Sequence, residues 1–202
     1  MIRLFFSVAT RSFVPLWLLQ ELGMPYEIAD TDIRAGRNKA PDYLRINPMG
    51  KVPALDDNGA IVSEVPAICL YLADRYGYGA LAPKIDDPLR GPYLKWCVFA
   101  TAVFEPATYL PPSSGKDAVS IGWGNRETAL NMLEAALTPG PWLLGERFSV
   151  ADIVLGGLFA IAYFNKRVDP RPAFAAYNAR LSARPAFQRA AEINWPPSQF
   201  PR

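Results

Sequence analysis

Two short stretches and one group of hydroxyls contain most of the residues that could do chemistry. In Asn47-Pro48-Met49-Gly50-Lys51-Val52-Pro53-Ala54-Leu55, a proline at the start of a strand cannot donate to the sheet ladder. Val52 therefore keeps a backbone N–H and C=O that can pair with an extended, peptide-like ligand. The same letters also fit an ordinary edge strand entered through a Pro-Gly turn. In Ser63-Glu64-Val65-Pro66-Ala67, Pro66 reads as the first position of a helix, which puts Val65 at the N-cap. Valine has no side-chain acceptor, so open N–H groups at the positive end of the helix dipole would suit a carboxylate. A start one residue earlier, with Ser63 or Glu64 as the cap, is the alternative, and Glu64 reads equally as a cap or as the partner of a ligand ammonium. Ser7, Thr10 and Ser12 each offer one donatable proton near the first helix, where capping is their other use.

Composition excludes several chemistries. The chain has no histidine, so no imidazole base, no Ser-His-Asp or Cys-His arrangement and no His-ligated zinc is available. The two cysteines, Cys69 and Cys97, lie in helix-like apolar patterns without a CxxC spacing and read as packing residues. No metal site is expected. A net charge of +2 over 202 residues, without a basic stripe, gives no support for nucleic acid binding. The longest apolar run, Ile153 to Phe164, covers about 12 residues where a membrane helix needs roughly 20. The start MIRLFF lacks the pattern of a signal peptide, so a cytoplasmic protein is expected.

Positioning these residues takes two kinds of structure. The first part alternates extended runs and helices: a strand at Ile2 to Ser7, a helix from Phe13 to Leu22 closed by Gly23, and a strand at Tyr26 to Thr31. Strands at Val52 to Asp56 and Ala60 to Val62 flank Asp57-Asn58-Gly59, a tight-turn signal, and a helix follows from Pro66 to Tyr76. This order predicts a mixed sheet with one right-handed crossover and a terminal hairpin. After the Pro- and Asp-rich stretch Ala82 to Pro88 no convincing strand remains. Tyr93 to Thr108, Arg126 to Leu137 and Ala151 to Phe164 have helical periodicity, and Ser149-Val150-Ala151-Asp152 fits a capping box. The long polar loop from Pro111 to Gly124 is expected to be mobile and to lie near the mouth of a cleft.

Together these stretches resemble the bacterial cytosolic glutathione transferases. The matching segments are LFFSVATRSFVPLWLLQELGMPY from Leu4, NPMGKVPAL from Asn47, SEVPAICLYLADRY from Ser63 and GERFSVADI from Gly145, in the family's order. The resemblance implies α/β plus all-α architecture. A thioredoxin-like, glutathione-binding N-terminal domain with a four-stranded mixed sheet would cover residues 1–81, and an all-helical domain contributing the electrophile pocket would cover 88–202. It also implies a cis Val52–Pro53 bond, a homodimer, and glutathione as co-substrate whose sulfur is added to an apolar electrophile.

Carried over residue by residue, the resemblance assigns Val52 with Pro53 to the backbone pairing of the cysteinyl part and Glu64 to the γ-glutamyl end. Val65 stands where a Ser or Thr is usual, which keeps the N–H and loses a hydroxyl, at a cost on the order of 1 kcal/mol of binding. Lys51, Arg37 and Lys39 are candidates for the glycyl carboxylate. At the thiol-activating position, Phe6 replaces the family's tyrosine and Arg11 its cysteine. This leaves Ser12 first, in the opening turn of the helix, then Thr10 and Ser7, or no activating hydroxyl at all, with Arg11 adding charge if it points inward. Lowering a thiol pKa by ~2 units takes roughly 2.7 kcal/mol, within reach of one charge-assisted hydrogen bond at ~1.5–3 kcal/mol plus a helix terminus at ~0.3–1 kcal/mol. Phe104, Tyr109 and Trp123 flank the long loop as candidates for the electrophile pocket. A non-catalytic, ligand-binding or stress-regulatory protein that retains the fold is the alternative, favoured by Phe6 and Val65.

Overall fold

The computed structural model describes residues 1–111 and 120–196, so residues 112–119, most of the expected Pro111 to Gly124 loop, lie outside the described residues. The chain forms two compact units, Met1–Leu72 joined by the chain from Ala183, and Ala73–Ser182.

The first unit is built on a sheet of strand order β2-β1-β3-β4, comprising β1 (Ile2–Phe6), β2 (Tyr26–Asp30), β3 (Ala54–Asp57) and β4 (Ala60–Ser63). β1 pairs parallel with β2, whereas β3 runs antiparallel to both β1 and β4. The mixed sheet expected of a thioredoxin-like domain is therefore present. Asn58 and Gly59 join the last two strands with φ of 53° and 94°, the positive pair that an Asn-Gly turn supplies at little steric cost. Between β1 and β2 runs α1 (Phe13–Leu22), in which every residue from Phe13 to Leu19 is buried. Such burial on all sides needs a cover besides the sheet, and the C-terminal α9 (Pro185–Asn194) provides it. Phe187 stands edge-on to both Phe13 and Trp17 at 5.0 Å, and Trp195 lies 4.9 Å from Phe13. Arg184 grips Glu21 through two hydrogen bonds of 2.6 and 2.8 Å.

A single turn of tight helix, Arg37–Lys39, and the short α2 (Pro41–Ile46) connect β2 to β3. β3 begins at Ala54, two residues later than the sequence pattern predicts, so Val52 precedes the ladder. The helix after β4, α3 (Val65–Tyr76), begins at Val65 itself. This corrects the expectation that Val65 is the N-cap and Pro66 the first helical residue. Glu64 takes the cap position with φ 70°, and its carbonyl accepts the Ile68 N–H at 2.9 Å.

The second unit is helical among its described residues: α4 (Arg90–Phe99), a π-helical turn (Ala100–Phe104), α5 (Glu105–Tyr109), α6 (Arg126–Ala136), α7 (Val150–Phe164) and α8 (Pro172–Ser182). The single helix predicted over Tyr93 to Thr108 contains this π turn, where the Glu105 N–H reaches back to Ala100. The ladder widens immediately before Pro106, which has no N–H to donate. The capping box at the start of α7 is formed as expected: Asp152 accepts the Ser149 N–H at 3.0 Å and Ser149 accepts the Ala151 N–H at 3.2 Å. Asp152 also takes the Leu143 N–H and the Tyr177 hydroxyl. The core around α7 joins Phe159 to Phe104, Phe174 and Tyr177. Cys69 and Cys97 are both buried and form no disulfide, and burial pushes the Cys97 thiol well up.

Candidate functional site

The hydroxyls expected to do chemistry lie on the loop from β1 to α1. Ser7 is buried, Arg11 is exposed, Thr10 is half-buried and Ser12 has no exposed surface. Thr10 Oγ1 stands 2.6 Å from the Ser7 carbonyl and 2.9 Å from Ser12 Oγ, and it accepts the Ser12 N–H at 3.2 Å. One hydroxyl carries one proton, so Thr10 serves either Ser7 or Ser12 at any moment. Ser12 precedes α1 but makes no side-chain cap. The loop is anchored at Ala9, whose φ is 55° and whose N–H donates to the Asn194 carbonyl of α9 at 2.8 Å. Phe6 faces the core, 3% exposed, and offers no hydroxyl.

Beyond α2, the chain from Asn47 to Val52 is held by side chains of the preceding connector. The Met49 carbonyl accepts from Lys39 Nζ at 3.4 Å, that of Gly50 from Asn38 Nδ2 at 2.8 Å, and that of Lys51 from both the Tyr43 hydroxyl at 2.5 Å and Asn47 Nδ2 at 2.8 Å. Tyr43 and Asn47 lie four residues apart, on one face of α2 and its end, and both are buried. Burial pushes the Tyr43 phenol up to about 12, so it stays a donor at any physiological pH. Gly50 fits here because its φ is 58° and a Cβ would stand 2.8 Å from the Asn38 carbonyl. These clamping residues were missed in the sequence; a Tyr and an Asn at helical spacing just before the Pro-Met-Gly turn were the available signal.

The Val52–Pro53 bond is cis, as the resemblance implies. Among the described residues no group takes up the Val52 N–H or C=O. The β3–β4 pairing ends with Ala54 opposite Ser63, so Val52 and Val65 each lie two residues beyond the same end of the hairpin. At Val65 the helix begins with its own open N–H and that of Ala67, since Pro66 has none and Ile68 is the first to bond within the helix. Glu64 and Lys51, next to these groups in the chain, are exposed; Arg37 and Lys39 are also exposed, and Lys39 is turned toward Met49.

Residues 2–74 match the family model for the glutathione S-transferase N-terminal domain, and residues 116–189 that for the C-terminal domain. The chain belongs to the glutathione S-transferase family. Conjugation of glutathione is that family's reaction. GstB of Escherichia coli K12 is 32% identical over 171 residues, covering 78% of this chain and 81% of GstB. Glutathione S-transferase hmp2 of Hypomyces subiculosus is 44% identical over 87 residues, which span 43% of this chain and 41% of hmp2. A theta class glutathione S-transferase from Xanthomonas axonopodis pv. citri, solved with glutathione bound, superposes with a TM-score of 0.75 at 29% identity, covering 94% of this chain and 96% of the other.

In the helical unit, the three residues expected to line an electrophile pocket differ in access. Phe104 is fully buried, 6.1 Å from Phe159. Tyr109 and Trp123 are half-buried, and the Arg167 guanidinium sits 4.7 Å above the Tyr109 ring. No helix among the described residues is long and apolar enough to cross a membrane.

Proposed function

We propose that this transferase binds glutathione along Val52 and the start of α3, and that the Thr10–Ser12 hydroxyl pair stabilises the thiolate. The observation that carries the reading is the unpartnered N–H and C=O of Val52 beyond the same end of the β3–β4 pairing as the start of α3, with its open N–H groups at Val65 and Ala67. One extended peptide can fill both: its cysteinyl backbone pairs with Val52 ahead of Pro53, and its γ-glutamyl carboxylate meets the helix start and its dipole. Glu64 takes the ligand ammonium, and Lys51 takes the glycyl carboxylate. The bound glutathione in the Xanthomonas structure supports this choice of ligand.

For the sulfur, Thr10 is the first donor because it keeps exposed surface where Ser12 keeps none. When Thr10 turns its proton to the sulfur, Ser12 donates to Thr10 across the 2.9 Å contact, so the two hydroxyls act in series. Arg11 adds positive charge at the same loop. Tyr109 and Trp123 offer the faces for an apolar electrophile, while Phe104 is fully buried against Phe159. The test is thiolate absorbance against pH in the glutathione complex. Thr10→Ala raises the bound thiol pKa by about 1–2 units, and Ser12→Ala by about half as much. An unmoved titration in both variants removes the hydroxyls from the mechanism. Binding without turnover of any electrophile favours the binding-protein alternative.

A homodimer is the assembly we infer, supported by Leu94 and Val98, exposed one turn apart on α4. Sedimentation equilibrium at micromolar protein checks it. We also place the protein in the cytoplasm, whose reducing conditions suit two cysteines that form no disulfide.

A further inference from the structure

The Lys51 carbonyl is the one carbonyl in the Met49–Lys51 run that two side chains hold, Tyr43 Oη and Asn47 Nδ2. In a trans peptide the C=O and the following N–H point in opposite directions. Fixing the Lys51 carbonyl against α2 therefore turns the Val52 N–H away from α2. That N–H has no acceptor among the described residues. Tyr43 is itself fixed: it is 5% exposed, and its ring stands edge-on to Phe5 at 5.7 Å. Asn47 is 2% exposed, with its own Oδ1 taken by the Met49 N–H at 3.1 Å.

We propose that Tyr43 is a positioning residue for glutathione, its hydroxyl setting the rotation of the Lys51–Val52 peptide and hence the aim of the N–H that receives the cysteinyl carbonyl. The proposal rests on the placement of glutathione along Val52. Its energetic logic lies in the doubled donor. Removing the Tyr43 hydroxyl leaves the Lys51 carbonyl bonded to Asn47, so no buried acceptor is orphaned and the fold loses little. With one tether instead of two, however, the peptide can rock, and each orientation other than the aligned one weakens the ligand's hydrogen bond. Tyr43 touches no reacting atom, so its effect falls on binding and not on the chemical step.

The experiment compares the full-length protein with Tyr43→Phe, which keeps the ring against Phe5 and removes only the hydroxyl. Two ligands are titrated by calorimetry: glutathione, and an analogue whose cysteinyl–glycyl amide is replaced by a trans-alkene and so offers no carbonyl to Val52. Tyr43→Phe is expected to weaken glutathione binding by about three- to tenfold and to leave the analogue unchanged. KM for glutathione rises in step, kcat with a chloronitrobenzene stays within about twofold, and the thermal midpoint moves little. Equal weakening of both ligands overturns the proposal, because a general loss of structure would act on both. Unchanged glutathione affinity also overturns it. If the wild-type protein binds glutathione but does not discriminate between the two ligands, the cysteinyl carbonyl does not meet Val52, and the placement fails together with the proposal.

Discussion

Glu64 is the residue where function and backbone strain meet. It holds φ 70° without being glycine, a conformation that costs a side-chain-bearing residue roughly 1–2 kcal/mol. Glu64→Gly relieves that cost while removing the carboxylate proposed for the ligand ammonium. Calorimetry and thermal melts on one sample should show a midpoint that holds or rises while glutathione affinity falls. A midpoint that drops by several degrees means the carboxylate has a structural partner. Next to it, Val65→Ser adds a hydroxyl at the first helical position and is expected to tighten glutathione binding by up to about tenfold, the equivalent of ~1.4 kcal/mol. Unchanged affinity places the carboxylate elsewhere. The Asn-Gly turn was readable in advance because residue type constrains its backbone; the cis Val52–Pro53 bond came through the resemblance, and the cap at Glu64 was only the alternative to Val65, because a glutamate does not signal a positive φ. The difference in access between Thr10 and Ser12 was not readable. The loop that carries them is anchored through Ala9 to the Asn194 carbonyl of α9, which lies far from the hydroxyls in sequence.

At the level of elements, α7 depends on its start. Asp152 is buried with four hydrogen-bond contacts, to Leu143 N, Ser149 N, Ser149 Oγ and Tyr177 Oη. Burial outweighs these donors and raises its carboxyl from 3.8 to about 6. The folded chain then holds a proton between pH 4 and 6 that the unfolded chain releases, so this group makes stability fall as pH rises through that window and flatten above it. Two units correspond to about 3 kcal/mol. Asp152→Asn removes that slope. It also turns an NH2 toward a backbone N–H, costing about 2–4 kcal/mol at pH 7. Urea melts at pH 4, 5, 6 and 7 check both effects, and an identical pH slope in the variant assigns the titration to another group. One turn further on, a Cβ on Gly156 would stand 2.9 and 3.0 Å from the methyl carbons of the fully buried Leu181 and 3.1 Å from the Tyr177 hydroxyl. Gly156→Ala is expected to lower stability by about 1–3 kcal/mol despite alanine's better helix propensity; a gain in stability would show that Leu181 can move aside. The capping box itself was legible from Ser149 and Asp152. The π turn was not, because the periodicity that predicts a helix does not register one residue added to a turn.

Across the whole molecule, the composition of the first unit is the feature least visible in the sequence. α9 carries an ordinary amphipathic pattern that fits either unit, and only the pairing of Phe187 with Phe13 and Trp17, and of Arg184 with Glu21, assigns it. Phe187→Ala should cost about 2–3 kcal/mol, less than a fully buried phenylalanine, and should destabilise the β1–α1 loop along with α1. Amide hydrogen exchange resolves this: faster exchange confined to α9 would mean that α1 does not depend on it. Because of this return, a ribosome that has made the entire sheet has not yet made what covers α1. Phe13 and Trp17 must wait, exposed or shielded by other surfaces, until α9 is translated. Closing this unit then means ordering the long intervening segment's ends against each other, a slow and non-local step. A messenger truncated before the codon for Arg184 would yield a chain with complete strands and an unfinished hydrophobic face, a form that chaperones and proteases recognise.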